Sequence, residues 1–466
     1  MRRSPTLAAF LSFFVPGLGQ VVSGRPRRGL IFLAPVVFLV LVILELLAGD
    51  RAKLLGFLVR PEVLIGLFVL NLLLLAWRGA AIVDAWRGAP RRGVRRSTMS
   101  TAVLVVLVIA MLGTHAVVGG YTYLAYDAEA SIFGGSGGGF GTLDGSPDSS
   151  SPVGSRETFG GGVLVPTPRP VPQPLADGRL DILLLGGDAG PGRWSLRTDT
   201  LIVLSVDVKT GRAAMFGIPR NLINTPLGPE SKAAFACGCF PDLINALYVY
   251  ASGHPKYFPG TDDTRGLLAI QSAIGELTGL ELDGLVLVKL NGFVRLVDAV
   301  GGIDIKVPYA VHDSHYPTPD GKGYIVLNIT KGQHHFNGLQ ALEYARSRHQ
   351  DSDYGRMQRQ QFTLTALAKQ VTSESLFAKV PELLEIAKTN LWTNLSIDNL
   401  SEFIELALRA DVNNMAHITV IPPKYAAHVT SSEMAAIRKV VANVFLLPVK
   451  PAATPTPAAI TPSPTP

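Results

Sequence analysis

Three apolar stretches early in the chain limit its fold more than any other feature. Residues 29–48 carry one charge, Glu45. Residues 63–84 are apolar as far as Trp77 apart from Asn71, and residues 101–120 hold no formal charge with His115 counted as neutral. Each reaches the roughly 20 residues that cross a hydrocarbon core about 30 Å thick, where backbone polar groups must be bonded within their own helix. The sequence therefore predicts an α-helical membrane region over residues 1–124. Arg2, Arg3, Arg25, Arg27 and Arg28 precede the first stretch, and Arg87, Arg91, Arg92, Arg95 and Arg96 separate the second from the third. The loop between the first two is poorer in positive charge. By the positive-inside rule the N-terminus lies inside, and everything after the third stretch lies outside. Much of the net charge of +6 is this arginine excess. It speaks of membrane orientation rather than nucleic acid, because no basic stripe interleaved with aromatics accompanies it.

Residues 6–22 are too short to span at about 1.5 Å per residue, and Pro16, Gly17 and Gly19 interrupt them. A re-entrant or interfacial hairpin is expected there. Its Pro16-Gly-Leu-Gly-Gln20 resembles a short motif of small helical-hairpin membrane segments. Residues 125–177 are rich in Gly, Ser and Pro and read as a tether that stiffens towards Pro166-Thr-Pro-Arg-Pro170. Residues 449–466 alternate Pro, Thr, Ala and Ser, the composition of a disordered tail. Between them, residues 178–448 form one globular domain. Aliphatic runs at 181–186, 200–208, 212–218, 284–290 and 302–307 read as strands. Helical patterns fall at 263–277, 292–300, 338–346, 356–370 and 400–408. That mixture predicts an α/β fold, a mixed sheet sandwiched by helices. Cys237 and Cys239 are the two cysteines. Two residues apart, they read as two thiols or a labile local bridge, not a disulfide framework.

Charged residues of the domain gather in two places. The stretch 343–361 packs Arg346, Arg348, Arg356 and Arg359 around Asp351 and Asp353, followed by Gln360 and Gln361. An extended Arg346-x-Arg348 presents both guanidiniums on one side. A helix beginning near Asp353 puts Asp353, Arg356 and Gln360 on one face. Arginine's planar fork fits phosphate or carboxylate oxygens in pairs, and a solvated, ion-paired helix is the plainer alternative.

The second place is a sheet rim. With a turn at Thr210, positions summing to about 420 face each other, which sets Arg220 opposite Thr200 and beside Asp199. The first strand ends just before Asp188, and a short Gly-rich loop without the Gly-Lys-Ser/Thr of a P-loop leads to Arg197. If the first two strands are neighbours, Asp188, Arg197, Asp199 and Arg220 converge. Two carboxylates with arginines suit a Mg²⁺ that bridges phosphate oxygens; turn aspartates with hairpin-end ion pairs account for the same spacing. His312, His315, His334, His335 and His349 lack a third metal partner and read as solvated loop histidines. Asp262-Asp263 reads as a helix cap. Residues 285–290 and 296–300 read as core, with an apolar slot for a lipid chain as the other possibility.

At this point the residues resemble a family. Leu184-Leu-Gly-Gly-Asp188, Leu196-Arg-Thr-Asp-Thr200, Gly217-Ile-Pro-Arg-Asn221, Leu243-Ile-Asn-Ala-Leu-Tyr248, Leu296-Val-Asp-Ala-Val-Gly-Gly-Ile303 and Gly338-Leu-Gln-Ala-Leu342 follow one another as in the LytR-CpsA-Psr family. Arg346-Ser-Arg348 and Asp353-Tyr-Gly-Arg-Met-Gln-Arg-Gln-Gln361 resemble its most distinctive block. The resemblance implies a membrane-anchored protein with an extracytoplasmic, Mg²⁺-dependent phosphotransferase domain, and the three apolar stretches make the expected anchor multi-pass. Such an enzyme moves a glycopolymer from a polyprenyl-pyrophosphate carrier to a peptidoglycan hydroxyl. It further implies that Asp188 and Asp199 hold Mg²⁺ and that Arg197, Arg220, Arg346, Arg348 and Arg356 grip the pyrophosphate. By the same likeness Gln360 bonds a phosphate oxygen and Asp353 orients the arginines. The family usually carries Asp where this chain has Asn221, which bears on rate or metal affinity. A non-catalytic polyprenyl-lipid-binding module and a pyrophosphatase are the competing readings.

Overall fold

The computed structural model describes residues 4–88, 98–133, 175, 177–188, 197–318, 323–348, 353–371, 379–396, 399–422 and 424–446. The expected tether beyond 133 and the tail beyond 446 lie outside the described residues, apart from 175 and 177. The chain divides into two compact units, Met1–Ala130 with Leu400–Glu405, and Ser131–Asn399 with Leu406–Pro466.

The first unit is helical: α1 (Pro5–Phe14), α2 (Leu18–Val22), α3 (Pro26–Ala48), α4 (Arg51–Leu58), α5 (Pro61–Gly88) and α6 (Thr98–Phe133). Three of these, α3, α5 and α6, are long and apolar enough to cross a membrane. The third continues to Phe133, through residues whose sequence reads as the start of the tether. Residues 6–22 fold as the short pair α1 and α2. Gly17 turns the chain between them with φ +100, and a Cβ there would meet the Gly29 carbonyl oxygen at 2.2 Å, so only glycine fits. The pair is fastened by Gln20, whose Oε1 accepts from Ser12 Oγ at 2.8 Å while its Nε2 donates to the Ala81 carbonyl of α5 at 2.8 Å.

The second unit runs β1 (Arg179–Asp188), β2 (Arg197–Asp207), β3 (Arg212–Gly217), β4 (Thr225–Pro226), β5 (Cys239–Phe240), α7 (Leu247–Ser252), α8 (Arg265–Thr278), β6 (Gly284–Lys289), α9 (Leu290–Ala299) and β7 (Ile303–Val307). It continues with β8 (Val311–Pro317), β9 (Tyr324–Ile329), β10 (Gly332–Phe336), α10 (Gly338–Arg346), α11 (Asp353–Val371), α12 (Val380–Asn390), β11 (Leu391–Thr393), the part of α13 (Leu400–Arg409) from Leu406 onward, β12 (Asp411–Thr419) and α14 (Ser431–Asn443). A six-stranded mixed sheet has the order β11-β6-β1-β2-β3-β12. Its centre is the β1–β2–β3 antiparallel meander, with β6 parallel to β1 and β12 parallel to β3. Leu183, Leu185, Val203, Phe216, Leu285 and Leu287 bury one face of the sheet in a single core that includes Leu267, Ile270 and Ile274 of α8. On the other face Gln361 of α11 donates to the carbonyls of Met215 and Ile418, joining β3 to β12. Helices on both faces of a mixed sheet are the expected α/β sandwich. Residues 285–290 and 296–300 supply core: Leu285, Leu287 and Val297 are fully buried.

Of the two alternatives expected for the cysteines the local bridge is the one present, while the readings of the histidines and of Asp262 need correction. The Cys237 and Cys239 sulfurs are bonded, across a Cα–Cα distance of 5.1 Å. Gly238 makes this local bridge possible by adopting φ +63. The pairs His312/His315 and His334/His335 sit on strands β8 and β10, not in loops; His349 lies outside the described residues. Helix α8 starts after Thr264, and Asp262 pairs with Arg265 at 2.8 Å instead of capping the helix.

Asp181, buried in β1, contributes to the pH dependence of this unit. Burial pushes its carboxyl up to about 6, with Arg179 and the Ser205 hydroxyl pulling the other way. A raised folded-state value means that the folded chain holds this proton more tightly than the unfolded chain. Its contribution to stability is full below the ordinary 3.8 and is lost as pH rises through 6. Asp181→Asn is expected to remove that slope and to gain about 2 kcal/mol at neutral pH relative to the parent. Unfolding curves of parent and variant from acid to neutral pH check this, and a parallel pair of curves refutes it.

Candidate active site

The site grows out of one irregularity in the central hairpin. Gly186 pairs with Thr200, but Gly187 pairs with Thr198 and Asp188 with Arg197. Asp199 is thus the extra residue of a β-bulge, and a bulge re-aims the side chain it carries. Strands β2 and β3 pair as Ile202↔Gly217 and Val203↔Phe216. That register is one residue from the expected one. Continued past Pro219, it brings Arg220 level with Asp199 rather than with Thr200. The contact is direct: Arg220 Nη1 donates to Asp199 Oδ1 at 2.8 Å.

The same guanidinium reaches the arginine-rich block. Arg220 Nε donates to Asp353 Oδ2 at 3.0 Å and Nη2 to Asp353 Oδ1 at 3.4 Å. Asp353 opens α11, and Arg356 one turn later approaches its Oδ1 with Nη1 at 3.3 Å. Gln360 follows another turn on and is buried. A continuous chain, Asp199–Arg220–Asp353–Arg356, therefore ties the sheet rim to the first turn of α11. The helical face predicted for Asp353, Arg356 and Gln360 is the one the chain uses.

Electrostatics follow from this chain. Burial works to raise the Asp199 carboxyl, but the Arg220 hydrogen bond and charge, Arg356 and an Asn245 hydrogen bond outweigh it. Asp199 stays ionised below the usual carboxylate range, which makes it an anionic oxygen ligand and a weak base. Asp353 is held between Arg220 and Arg356. Burial also depresses Arg356, and the charges of Arg220 and Arg348 add to the effect against the pull of Asp353 and Asp199. Arg356 is 5% exposed, and its Nε has no hydrogen-bond partner among the described residues. The buried Thr198 Oγ1 and Asn221 Oδ1 also lack partners there. Such groups at a rim suit a polar ligand.

The four arginines of the block divide by role. Arg346 closes the last turn of α10 rather than an extended piece, and its side chain bonds the Tyr316 hydroxyl. Arg348 is exposed, while its backbone N donates to Asp313 Oδ2 at 3.1 Å. Arg359 is 1% exposed and faces no ligand; its Nε donates to the Tyr344 carbonyl at 3.0 Å and its Nη2 to the Ser347 carbonyl. It is a strut between α10 and α11. Asp188 and Arg197 are described through their backbone pairing, which places them at the same rim.

Sequence reasoning missed Asn245, Lys289 and Asp313. Asn245 bonds Asp199 and also donates its backbone N to the Arg220 carbonyl at 3.2 Å. Its signal is the polar residue inside the otherwise apolar Leu243-Ile-Asn-Ala-Leu. Lys289 closes β6 next to Gly187, and burial lowers its ammonium. Asp313 is fully buried and takes Ser347 Oγ at 3.1 Å besides Arg348 N. Among the described residues no three His, Cys, Asp or Glu side chains gather to hold a metal. The ionised Asp199 is an oxygen donor of the kind Mg²⁺ takes, and backbone pairing sets Asp188 two residues from it along the same rim.

The class of protein is thus one with helices long and apolar enough to cross a membrane and an α/β unit that carries an arginine–carboxylate chain at its sheet rim. The chain belongs to the LytR_cpsA_psr family, whose model matches residues 165–438, more than half of its length. The polyisoprenyl-teichoic acid–peptidoglycan teichoic acid transferase TagU of Oceanobacillus iheyensis is 32% identical over 228 residues, 48% of this chain and 62% of that one. The transferase TagV of Bacillus subtilis is 32% identical over 43% of this chain and 46% of its own. The chain spans about half to three-fifths of the length of these relatives. A crystal structure of B. subtilis TagV superposes with a TM-score of 0.42 at 24% identity, over 56% of this chain and 95% of that one.

The division of roles is testable by stability. Arg359→Ala is expected to cost about 3 kcal/mol, because buried carbonyls lose charged donors, whereas Arg348→Ala leaves the melting temperature unchanged. Thermal unfolding of the two variants beside the parent checks this. Equal losses would remove the distinction.

Proposed function

We propose that this chain is a Mg²⁺-dependent phosphotransferase. It moves a glycopolymer from a polyprenyl-pyrophosphate carrier onto a peptidoglycan hydroxyl and releases polyprenyl phosphate. The observation that carries the reading is the Asp199–Arg220–Asp353–Arg356 chain, with a buried guanidinium beside unpartnered polar groups. The relatives that carry the teichoic acid transferase name lend it support.

In this reading the acceptor hydroxyl attacks the phosphorus nearer the sugar, its proton passes to water, and the bond to polyprenyl phosphate breaks. Arg348 and Arg356 bind the oxygens on which charge grows, and Arg346 and Arg197 flank them. Arg220 is fixed by two carboxylates, so it stands ready before the donor arrives. Gln360 bonds a phosphate oxygen, and Asn245 keeps Asp199 aimed. A Mg²⁺ held by Asp188 and Asp199 would supply Lewis-acid neutralisation of the phosphate charge. Reaction outside the membrane, where carrier-linked polymer and wall meet, accords with the arginine distribution around the apolar helices.

The test uses the detergent-solubilised chain with a lipid-pyrophosphate-linked oligosaccharide, with and without a peptidoglycan oligomer. Transfer to the oligomer is expected, with loss on chelation of divalent metal. Arg348→Ala and Asp199→Asn are each expected to lower the rate by about 100-fold or more while the fold is kept. Release of phosphorylated sugar without an acceptor would instead make it a pyrophosphatase. Binding without turnover would make it a lipid-binding module.

A further inference from the structure

Two of the charged residues in the second half of α5, Arg78 and Asp84, are treated differently by their surroundings. Asp84 has a counter-charge, since Arg28 Nη1 meets its Oδ1 at 3.0 Å, and Gln20 Nε2 reaches its Oδ2 at 3.3 Å. Arg78, six residues earlier, has none within 4.0 Å among the described residues. Its Nη2 donates to the Phe13 carbonyl at 2.8 Å, and its Nη1 lies 3.4 Å from His115 Nε2. Phe13 belongs to α1 and His115 to α6, so the guanidinium sits where three helices of this unit meet.

The site around it is built. His115 is 8% exposed and Asn71 is 7% exposed. His115 Nδ1 bonds Asn71 Oδ1 at 2.7 Å, and Asn71 Nδ2 donates to the His115 carbonyl at 3.0 Å. With Nδ1 donating to Asn71, the ring turns a lone pair on Nε2 towards Arg78, so the imidazole accepts a hydrogen bond from one guanidinium N–H and offsets no charge. The Phe13 ring lies 5.6 Å from the guanidinium carbon. Each neighbour is neutral and orients the cation without compensating it. The remaining N–H groups of Arg78 stay available, and the residue is only half-buried. Ionisable residues within membrane helices are costly and mark ligand or counter-ion positions. Arg78 stands ten residues before the end of α5, about 15 Å along the helix axis.

We propose that Arg78, presented by His115 and the Phe13 carbonyl, binds the phosphate of an anionic membrane lipid that enters sideways between α1, α5 and α6. The chemistry is a lipid phosphate monoester or diester. A glycerophospholipid and a polyprenyl phosphate both carry it. The proposal is independent of the sheet-rim site and stands whether or not that site transfers glycopolymer.

Native mass spectrometry of the full chain in a neutral detergent tests it, with phosphatidylglycerol, phosphatidylcholine or a short-chain polyprenyl phosphate added. The parent is expected to retain one anionic lipid with a preference over phosphatidylcholine of about fivefold or more. Arg78→Lys keeps the preference, and Arg78→Gln brings it to parity. Arg28→Gln, which alters a more exposed cation, leaves it unchanged. Stronger retention of polyprenyl phosphate than of phosphatidylglycerol assigns the site to a carrier lipid, and equal retention assigns it to anionic lipid at large. Equal retention of phosphatidylcholine and both anionic lipids by the parent overturns the proposal, as does a preference that survives Arg78→Gln. Should Arg78→Gln not yield folded protein, a photoreactive phosphatidylglycerol on the parent must cross-link α1 or α5 near Phe13 and Arg78. Cross-links confined to other segments overturn it equally.

Discussion

Arg220 ties the sheet rim of the α/β unit to the start of α11. One guanidinium spans two carboxylates from elements distant in sequence, Asp199 on β2 and Asp353 at the start of α11. Neither acid is free to leave, because each would abandon a partly buried charge, a loss of about 3–5 kcal/mol when one partner of such a pair is removed. The arginine also cannot relax towards solvent without releasing the helix that carries Arg356. Sheet and helix are therefore registered against each other by charge as well as by apolar packing.

That registration explains how the rim can gather so much positive charge. Arg356 is buried next to Arg220 and Arg348, an arrangement that repulsion and desolvation oppose. Asp353 and Asp199 reduce the conflict, and α11 is fastened by neutral bonds further along, where Gln361 reaches the carbonyls of β3 and β12. The strut Arg359 donates to the backbone carbonyls of Tyr344 and Ser347, which adds rigidity between α10 and α11. The oxygen-seeking groups left over are those nearest the rim.

Legibility in the sequence followed the strength of the local signal. The aliphatic strands β1, β2, β3 and β6 and the periodic helices α10 and α11 were readable, because burial on one face writes a regular spacing. The hairpin β8–β9 was not: Val311 is the only aliphatic residue in β8, and its outward positions carry His312, Ser314 and His315, which look like loop chemistry. The bulge at Asp199 was equally hidden. A register can be counted from a turn, but a single extra residue changes the count and leaves no compositional mark. Arg359 looked like its neighbours because one-dimensional reading cannot separate a guanidinium aimed at a ligand from one aimed at two carbonyls. Asn221 was visible as a departure from the family pattern, yet only the fold shows its side-chain oxygen enclosed beside Arg220 without a donor.

Asp313 accepts from the backbone of His315, from Ser347 Oγ and from the Arg348 backbone, so a single buried carboxylate stitches the root of the β8–β9 hairpin to the end of α10. The strands leave that stitch in the direction of the tip, where Tyr324 and Val326 are exposed. Change at the tip is thereby mechanically insulated from the arginines. An insertion or substitution at the outer hairpin would change what that surface meets while the Asp199–Arg220–Asp353–Arg356 chain keeps its own supports.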